Sequence, residues 1–338
     1  MRLLRRWDRP LPLVLTTGAA AVAFGGAVAV MSAIAGWSRV ADRFHPGLSV
    51  WFGVAFVAEL AAFAAYVLAY RSVAAVEQGP RLGLREATEL VAVGFGAFLA
   101  KGGAALDSEA LRRGSSERDG EVRVMALDAL EHAPLAPAAC AAAITLLVRG
   151  SRTPGLDFTI PWATLVPVGA VLAFFGVRRR RRRFTGRGGW RGKLGEALEA
   201  IEVLFRLARG WRVHWPAFVG ASVYWAGDVL CLWASLRPFD AAPTFAAIVL
   251  AHAVGYVLTR RTLPLAGAGI VEVLLPLTLV ASGAPFAGAI LGVVVYRLFN
   301  LWLPLLPAAA ALPRLRRRLG GSFRLLPAER VSADRARG

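Results

Sequence analysis

Residues 10–38 read PLPLVLTTGAAAVAFGGAVAVMSAIAGWS, a stretch of 29 residues without a charged side chain. A second stretch, FTIPWATLVPVGAVLAFFGV at residues 158–177, is uncharged over 20 residues. An α-helix rises about 1.5 Å per residue, so about 20 apolar residues cross the hydrocarbon core of a bilayer. Both stretches are long enough, which predicts a protein that crosses a membrane more than once.

The composition of the whole chain supports this prediction. Of its 338 residues, 57% are hydrophobic and 18% are charged, whereas soluble domains carry roughly 25% charged residues. We expect an all-α, polytopic integral membrane protein with about eight transmembrane helices plus one or two re-entrant or broken helices. Hydropathy predicts the spans 11–35, 48–70, 133–149, 158–177, 214–236, 241–260, 263–282 and 285–311, with a weaker, re-entrant segment at 86–106.

The net charge of +18 comes largely from arginine clusters beside the apolar spans. Arg178–Arg183 is an unbroken run of six, and further arginines lie near both termini. The positive-inside rule places such clusters in the cytoplasm, and eight crossings with one re-entrant segment bring all of them there. We therefore expect a multi-pass protein of a bacterial plasma (inner) membrane, with both termini cytoplasmic. Anionic lipid headgroups suit these clusters, and nucleic acid is not expected as a partner because no soluble basic module is present.

The chain is predicted to form one transmembrane domain over residues 1–318, followed by a disordered cytoplasmic tail at 319–338. Its basic cytoplasmic loop occupies 178–213 and contains LGEALEAIEVLFRLAR at 194–209. Apolar residues recur there at helical spacing, which predicts an amphipathic helix on the cytoplasmic surface or a helical linker between two halves. The expected apolar face consists of Leu194, Leu198, Ile201, Leu204, Phe205 and Ala208.

Ionisable side chains within the apolar spans are the first candidates for function. An ionisable group inside a membrane costs a few kcal/mol on insertion scales, so its presence needs a reason. Either it serves a polar path, or it neutralises a partner and holds two helices together. The clear cases are Glu59, Asp228, Glu272 and Arg297, and the weaker cases are Lys101 and His252.

The densest group of candidates lies in RRTLPLAGAGIVEVLLPLTLVASGAPFAGAILGVVVYRLFN at residues 260–300. Its prolines and glycines disfavour a regular helix, and a helix broken at membrane depth exposes N–H groups that can receive an anion such as a phosphate. Glu272 follows the break, while Tyr296 and Arg297 lie on the next helix. They form a structural pair or they flank a path for a headgroup, and both readings stay open. The candidate substrate-binding residues are therefore Glu59, Lys101, Asp228, Gly267, Gly269, Glu272, Tyr296 and Arg297.

Catalytic and metal-binding motifs are missing from the sequence. It contains no HExxH, no P-loop and no nucleophile elbow, and its four histidines are scattered. Cys140 and Cys231 lie in apolar stretches and are interpreted as small buried hydrophobes. We expect neither an enzyme nor a bound cofactor or metal.

Three short motifs lie in the last third of the chain. The break reads Leu265-Ala266-Gly267-Ala268-Gly269-Ile270-Val271-Glu272, the following turn is Ala281-Ser282-Gly283, and Tyr296-Arg297 comes on the next helix. They resemble the flippase-like membrane family typified by the transmembrane domain of lysylphosphatidylglycerol synthases, where the break has the form PGGxGxxE. A Gly-rich region from Lys101 to Gly114 is similar to a second family segment.

The resemblance implies lipid translocation without aminoacyl transfer, because the bifunctional synthases carry an additional soluble domain for that reaction. The leading hypothesis is a membrane lipid translocase that moves a polar-headed lipid, anionic or aminoacylated or glycosylated, between leaflets. The alternative is a non-transporting membrane scaffold or partner of an envelope-lipid enzyme. Such an enzyme, or a second copy of the chain, is the expected protein partner.

Overall fold

A computed structural model describes residues 10–44, 49–76, 79–97, 107, 110–111, 117–151, 154–184, 190–257 and 264–323. The structure is 88% helical, with no strand in these ranges. This confirms the predicted all-α class.

The α-helices are named in chain order. They are α1 (Pro10–Ala35), α2 (Trp37–Arg43), α3 (Val50–Ala74), α4 (Leu84–Ala97), α5 (Glu117–Val148), α6 (Leu156–Phe184), α7 (Trp190–Arg209), α8 (Trp211–Leu236), α9 (Phe245–His252), α10 (Val271–Ala281), α11 (Phe286–Arg297) and α12 (Leu305–Phe323). Two 3₁₀ segments, Arg237–Phe239 and Pro264–Gly267, follow α8 and precede α10. Two π-helical segments, Ala253–Val257 and Leu298–Trp302, directly continue α9 and α11.

Six helical segments in the described part of the chain are long and apolar enough to cross a membrane. Each of them overlaps one of the predicted spans, so the chain is a multi-pass membrane protein. The six segments are Leu15–Ala35, Val50–Ala74, Val122–Val148, Leu156–Gly176, Trp211–Phe239 and Phe286–Leu315.

The other two predicted spans, 241–260 and 263–282, correspond to shorter apolar helices, Phe245–Gly255 and Val271–Ala281. A helix of 11 residues rises about 16 Å, roughly half of a hydrocarbon core of about 30 Å. The second helix is short because the backbone before it is irregular, and both Gly267 and Gly269 have a positive φ, 73° and 89°. The count of eight full crossings is therefore not confirmed.

The antiparallel helices α3 and α8 form the centre of the bundle through small residues. A Cβ atom at Gly220 would lie 2.5 Å from the carbonyl oxygen of Ala65, and one at Gly227 would lie 2.6 Å from that of Ala58. Because glycine alone has no Cβ, the two backbones come into direct contact, as in small-residue interfaces between transmembrane helices. This contact brings Asp228 to the level of Glu59.

Helices α9, α10 and α11 pack beside this central pair, and α1 lies on their outer side. The π segment after α9 contacts α10 closely, since a Cβ at Gly255 would lie 2.9 Å from the Cα of Leu275. Helix α1 covers the break before α10, where Gly269 faces Ala23. Two half-length helices and the break between them are thus held between the central pair and one peripheral helix.

Helix α7 confirms the helix predicted at 194–209, although it presents a different face to the protein. It packs against α5 and α6, and its buried apolar residues are Leu198, Val203 and Leu207, whereas Ala208 is exposed. The buried stripe is rotated from the expected one because it faces the neighbouring helices α5 and α6. Of the predicted re-entrant segment, residues 86–97 belong to α4, which packs against α3 and α12, and 98–106 lie outside the described residues.

Candidate functional site

Five polar residues from five different elements meet in the centre of the bundle. We call this group the central network: Glu59 on α3, Asp228 on α8, His252 at the end of α9, Tyr296 on α11, and Asn300 in the following π segment. None of these residues is more than 6% exposed. Glu59, Asp228, Tyr296 and Asn300 lie inside candidate membrane spans, and His252 lies in the shorter apolar helix Phe245–Gly255.

Asp228 is the hub of the central network. Its Oδ1 accepts hydrogen bonds from the hydroxyl of Tyr296 at 2.9 Å and from the amide Nδ2 of Asn300 at 2.8 Å. Its Oδ2 lies 3.2 Å from Nε2 of His252, which in turn lies 3.4 Å from the Tyr296 hydroxyl. The Trp225 ring contacts His252 edge-on, with centroids 5.5 Å apart. This contact helps to hold the imidazole against Asp228.

Glu59 joins the network through the same amide. Asn300 Nδ2 donates to Glu59 Oε1 at 3.4 Å as well as to Asp228, so two carboxylates are linked by one NH₂ group. Cys231 and Ser235 follow Asp228 along α8, and both are fully buried. Cys231 is a free, buried thiol within the hydrophobic core, as interpreted from the sequence.

A second buried group adjoins the central network. Arg297 Nε donates to Glu272 Oε1 at 2.6 Å, and both side chains are 1% exposed. The backbone N–H of Gly269 donates to Glu272 Oε2 at 2.6 Å. We call these three groups the ion-pair site. Tyr296 and Arg297 are neighbours on α11, and because successive side chains of a helix point about 100° apart, one serves each group.

Both the central network and the ion-pair site lie next to segments of irregular helix. The π segment Ala253–Val257 begins directly after His252, and the π segment Leu298–Trp302 begins directly after Arg297. Short π-helical segments within α-helices occur frequently at functional sites. Gly269 lies in the break before α10, where its positive φ takes the backbone out of regular helix. Its N–H therefore has no acceptor within a helix and points toward Glu272.

The structure brings most of the predicted site residues together, in two groups. Glu272, Arg297 and Gly269 form the ion-pair site, and Gly267 lies in the break beside it. Asp228, Glu59 and Tyr296 belong to the central network. Lys101 lies outside the described residues.

Two members of the central network were weak or missing in the sequence analysis. His252 was a minor candidate, and Asn300 was not a candidate because it carries no charge. A usable signal for Asn300 was its position four residues after Tyr296, which places both on one helix face within an apolar run.

Comparison with known proteins does not assign the chain to a family. No family model matches the chain, and no curated protein matches it. The likeness to the flippase-like family therefore depends on the motifs quoted from the sequence.

Proposed function

We propose that this protein is a lipid translocase of a bacterial plasma membrane, moving a polar-headed lipid between leaflets. The headgroup is anionic, or is aminoacylated or glycosylated. The observation that carries the proposal is the ion-pair site, a buried Glu272–Arg297 pair at the end of a broken helix inside a multi-pass membrane protein. Discontinuous helices whose freed backbone groups face a charged ligand are typical of membrane transporters.

The position of the ion-pair site favours a lipid over a water-soluble substrate. Glu272 is on the inner face of α10, whereas Ile270, Leu274 and Leu277, at or near the same helix, are 39–46% exposed. Among the described elements, α1 covers the break. The residues that cover it, Ala20 and Ala23, are small. A headgroup could therefore reach the pair from the side while its acyl chains remain in the bilayer.

The chemistry of the pair suits a headgroup with a phosphate. A guanidinium binds phosphate oxygens through several directed N–H groups, and the Gly269 N–H adds a backbone donor. The Glu272 carboxylate, released from Arg297, could accept an ammonium group. An aminoacylated lipid headgroup carries both charges, so it complements the two halves of the ion pair.

The proposed topology keeps both termini and the basic run Arg178–Arg183 in the cytoplasm. Helices α9 and α10 form a pair, so the chain returns to the side on which α8 ends whether or not the pair crosses the membrane completely. Six or eight crossings therefore give the same orientation, and the positive-inside rule supports it.

The test is lipid movement in proteoliposomes that contain a headgroup-labelled fluorescent phosphatidylglycerol and an impermeant quencher outside. Quenching beyond the outer-leaflet fraction is expected for the protein and not for empty liposomes. Quenching that stops at the outer leaflet for a panel of labelled lipids would contradict the proposal and favour the scaffold alternative.

Two variants distinguish between a substrate-binding role and a purely structural role of the Glu272–Arg297 pair. Glu272→Gln removes the carboxylate charge but leaves Arg297 buried, whereas Glu272→Leu with Arg297→Met removes both charges together and avoids an uncompensated one. We expect a folded double variant that does not move lipid. Normal lipid movement by the double variant would show that the pair only holds α10 and α11 together.

A further inference from the structure

Polar side chains continue from the central network toward both ends of α8 and toward the C-terminal end of α3. On α8, Tyr224, Asp228, Cys231 and Ser235 are spaced by four, three and four residues, so they share one helix face. All four are buried, at 1% exposure or less. The buried interior of α8 therefore carries a polar stripe.

Helix α3 carries a matching stripe. Glu59, Tyr66 and Tyr70 are spaced by seven and four residues and are at most 6% exposed. The rings of Tyr66 and Tyr224 lie side by side, with centroids 5.1 Å apart. Beyond them the Tyr70 hydroxyl donates to Asp107 Oδ1 at 3.1 Å.

The two stripes meet at the central network, where Asn300 links Glu59 to Asp228. Tyr70 lies 11 residues from Glu59 along α3, about 16.5 Å, and Ser235 lies seven residues from Asp228 along α8, about 10.5 Å in the opposite direction. The combined stripe, which we call the polar column, is thus about 27 Å long, close to the hydrocarbon thickness of about 30 Å.

We propose that the polar column is a proton path and the central network its proton-binding site, so that lipid movement is coupled to a proton gradient. The coupling rests on the proposed function, whereas the proton path itself does not. Glu59 and Asp228 share one amide in a buried site, and each carboxylate is a group that can take up and release a proton. His252, whose Nε2 lies 3.2 Å from Asp228 Oδ2, adds an imidazole that can carry a proton.

In this scheme a proton arriving from the outer side past Ser235 and Cys231 neutralises the carboxylate of Glu59 or Asp228. It leaves to the cytoplasmic side past Tyr70 and Asp107, with water bridging the intervals between hydroxyl groups. Only O–H, N–H and S–H bonds form and break. Other titratable or charged groups on the elements packed around the column include Glu89, Arg123, Asp128, Glu131, His132, Glu202, Arg206, Glu272 and Arg297.

The test uses the full-length protein in liposomes with a trapped pH-sensitive dye. A potassium gradient with valinomycin makes the interior negative and drives protons inward. We expect acidification faster than in empty liposomes. Asp228→Asn should reduce it to the level of empty liposomes, because the amide keeps the shape and hydrogen bonds but cannot take up a proton.

Two further variants control this measurement. Asp128→Asn makes the same chemical change at a partly exposed site on α5, outside the column, and should leave proton flux unchanged. Tyr70→Phe interrupts the column far from Asp228 and should lower the flux. If Asp228→Asn fails to fold, full flux through the Tyr70→Phe protein overturns the proton path.

Lipid movement is measured in the same liposomes with and without a pH gradient, using labelled phosphatidylglycerol. A change of rate with the gradient, lost in Asp228→Asn, supports the coupling. Lipid movement without proton flux overturns the proton path and leaves the translocase standing. Proton flux without lipid movement overturns the proposed function and leaves the path standing, and the absence of both overturns both.

Discussion

Arg297 shows at the scale of one residue how a charge is kept inside the bundle. Its side chain is 1% exposed, and its Nε lies 2.6 Å from a Glu272 oxygen. Glu272 is itself held by the Gly269 N–H. A buried ion pair of this kind is weak support for stability by itself, yet removal of one partner is costly because the other charge stays buried.

Replacement of Arg297 alone should therefore destabilise the protein more than replacement of both partners. We expect Arg297→Met to lower the free energy of unfolding by about 3–5 kcal/mol, and Glu272→Leu with Arg297→Met to recover most of this loss. Thermal unfolding of the purified proteins in one detergent measures both effects. An Arg297→Met protein as stable as the wild type would argue against the ion pair.

Gly269 is constrained by its backbone conformation and by its close contact with α1. Its φ is 89°, and an added Cβ would lie 3.2 Å from the Cβ of Ala23 on α1. We expect Gly269→Ala to destabilise the protein by about 1–3 kcal/mol through backbone strain and contact with α1. Gly25→Ala on α1, where a Cβ meets nothing within 4 Å, is the control and should not destabilise it. Equal unfolding temperatures for the two variants would contradict the geometry of the break.

At the scale of elements, the register of α3 against α8 determines which polar residues can meet. Gly220 and Gly227 allow the two backbones to touch, and this places Asp228 beside Glu59. Tyr296 near the end of α11 and Asn300 in the following π segment then reach the same centre. The central network is thus a consequence of helix packing and not of any single motif.

Separation of α3 from α8 should disrupt the fold. Gly227→Leu would place side-chain atoms against the backbone of Ala58 and Ala62, so we expect misfolding or a loss of at least about 3 kcal/mol. Gly53→Leu makes the same change on an open face of α3 and should be tolerated. Size-exclusion profiles and unfolding temperatures compare the two variants. A monodisperse Gly227→Leu protein of normal stability would contradict the direct backbone contact.

At the scale of the whole molecule, six long helices and two half-length helices determine the arrangement in the membrane. In the proposed topology the paired short helices α9 and α10 return the chain to one side, so orientation depends on the six long segments. The orientation in turn decides from which side each end of the polar column is reached.

Cysteine labelling in sealed membrane vesicles tests this arrangement. Single cysteines at Ser151, Asp240 and Gly283, in a background without Cys140 and Cys231, should react with an impermeant reagent from the same side, because an even number of crossings separates them. A cysteine in the basic loop, at residue 186, should react from the opposite side. Labelling of positions 240 and 283 from opposite sides would show that α9 and α10 together cross the membrane an odd number of times.

The sequence by itself determined the class of the protein and the positions of most long helices, because hydropathy is a local property that depends on residues close together in the chain. It also identified Glu272, Arg297, Asp228 and Glu59, since a charge stands out in an apolar run. It could not show that α9 and α10 are short, because apolar residues are equally frequent in a full span and a half-length helix.

Only the tertiary structure decided how the buried polar residues are grouped. Asp228 meets Glu59 because Gly220 and Gly227 set the register of two helices that lie far apart in the sequence. Asn300, which is uncharged, becomes central only when the bundle places its amide between two carboxylates. Such contacts depend on the packing of whole helices, and no local pattern of residues contains that information.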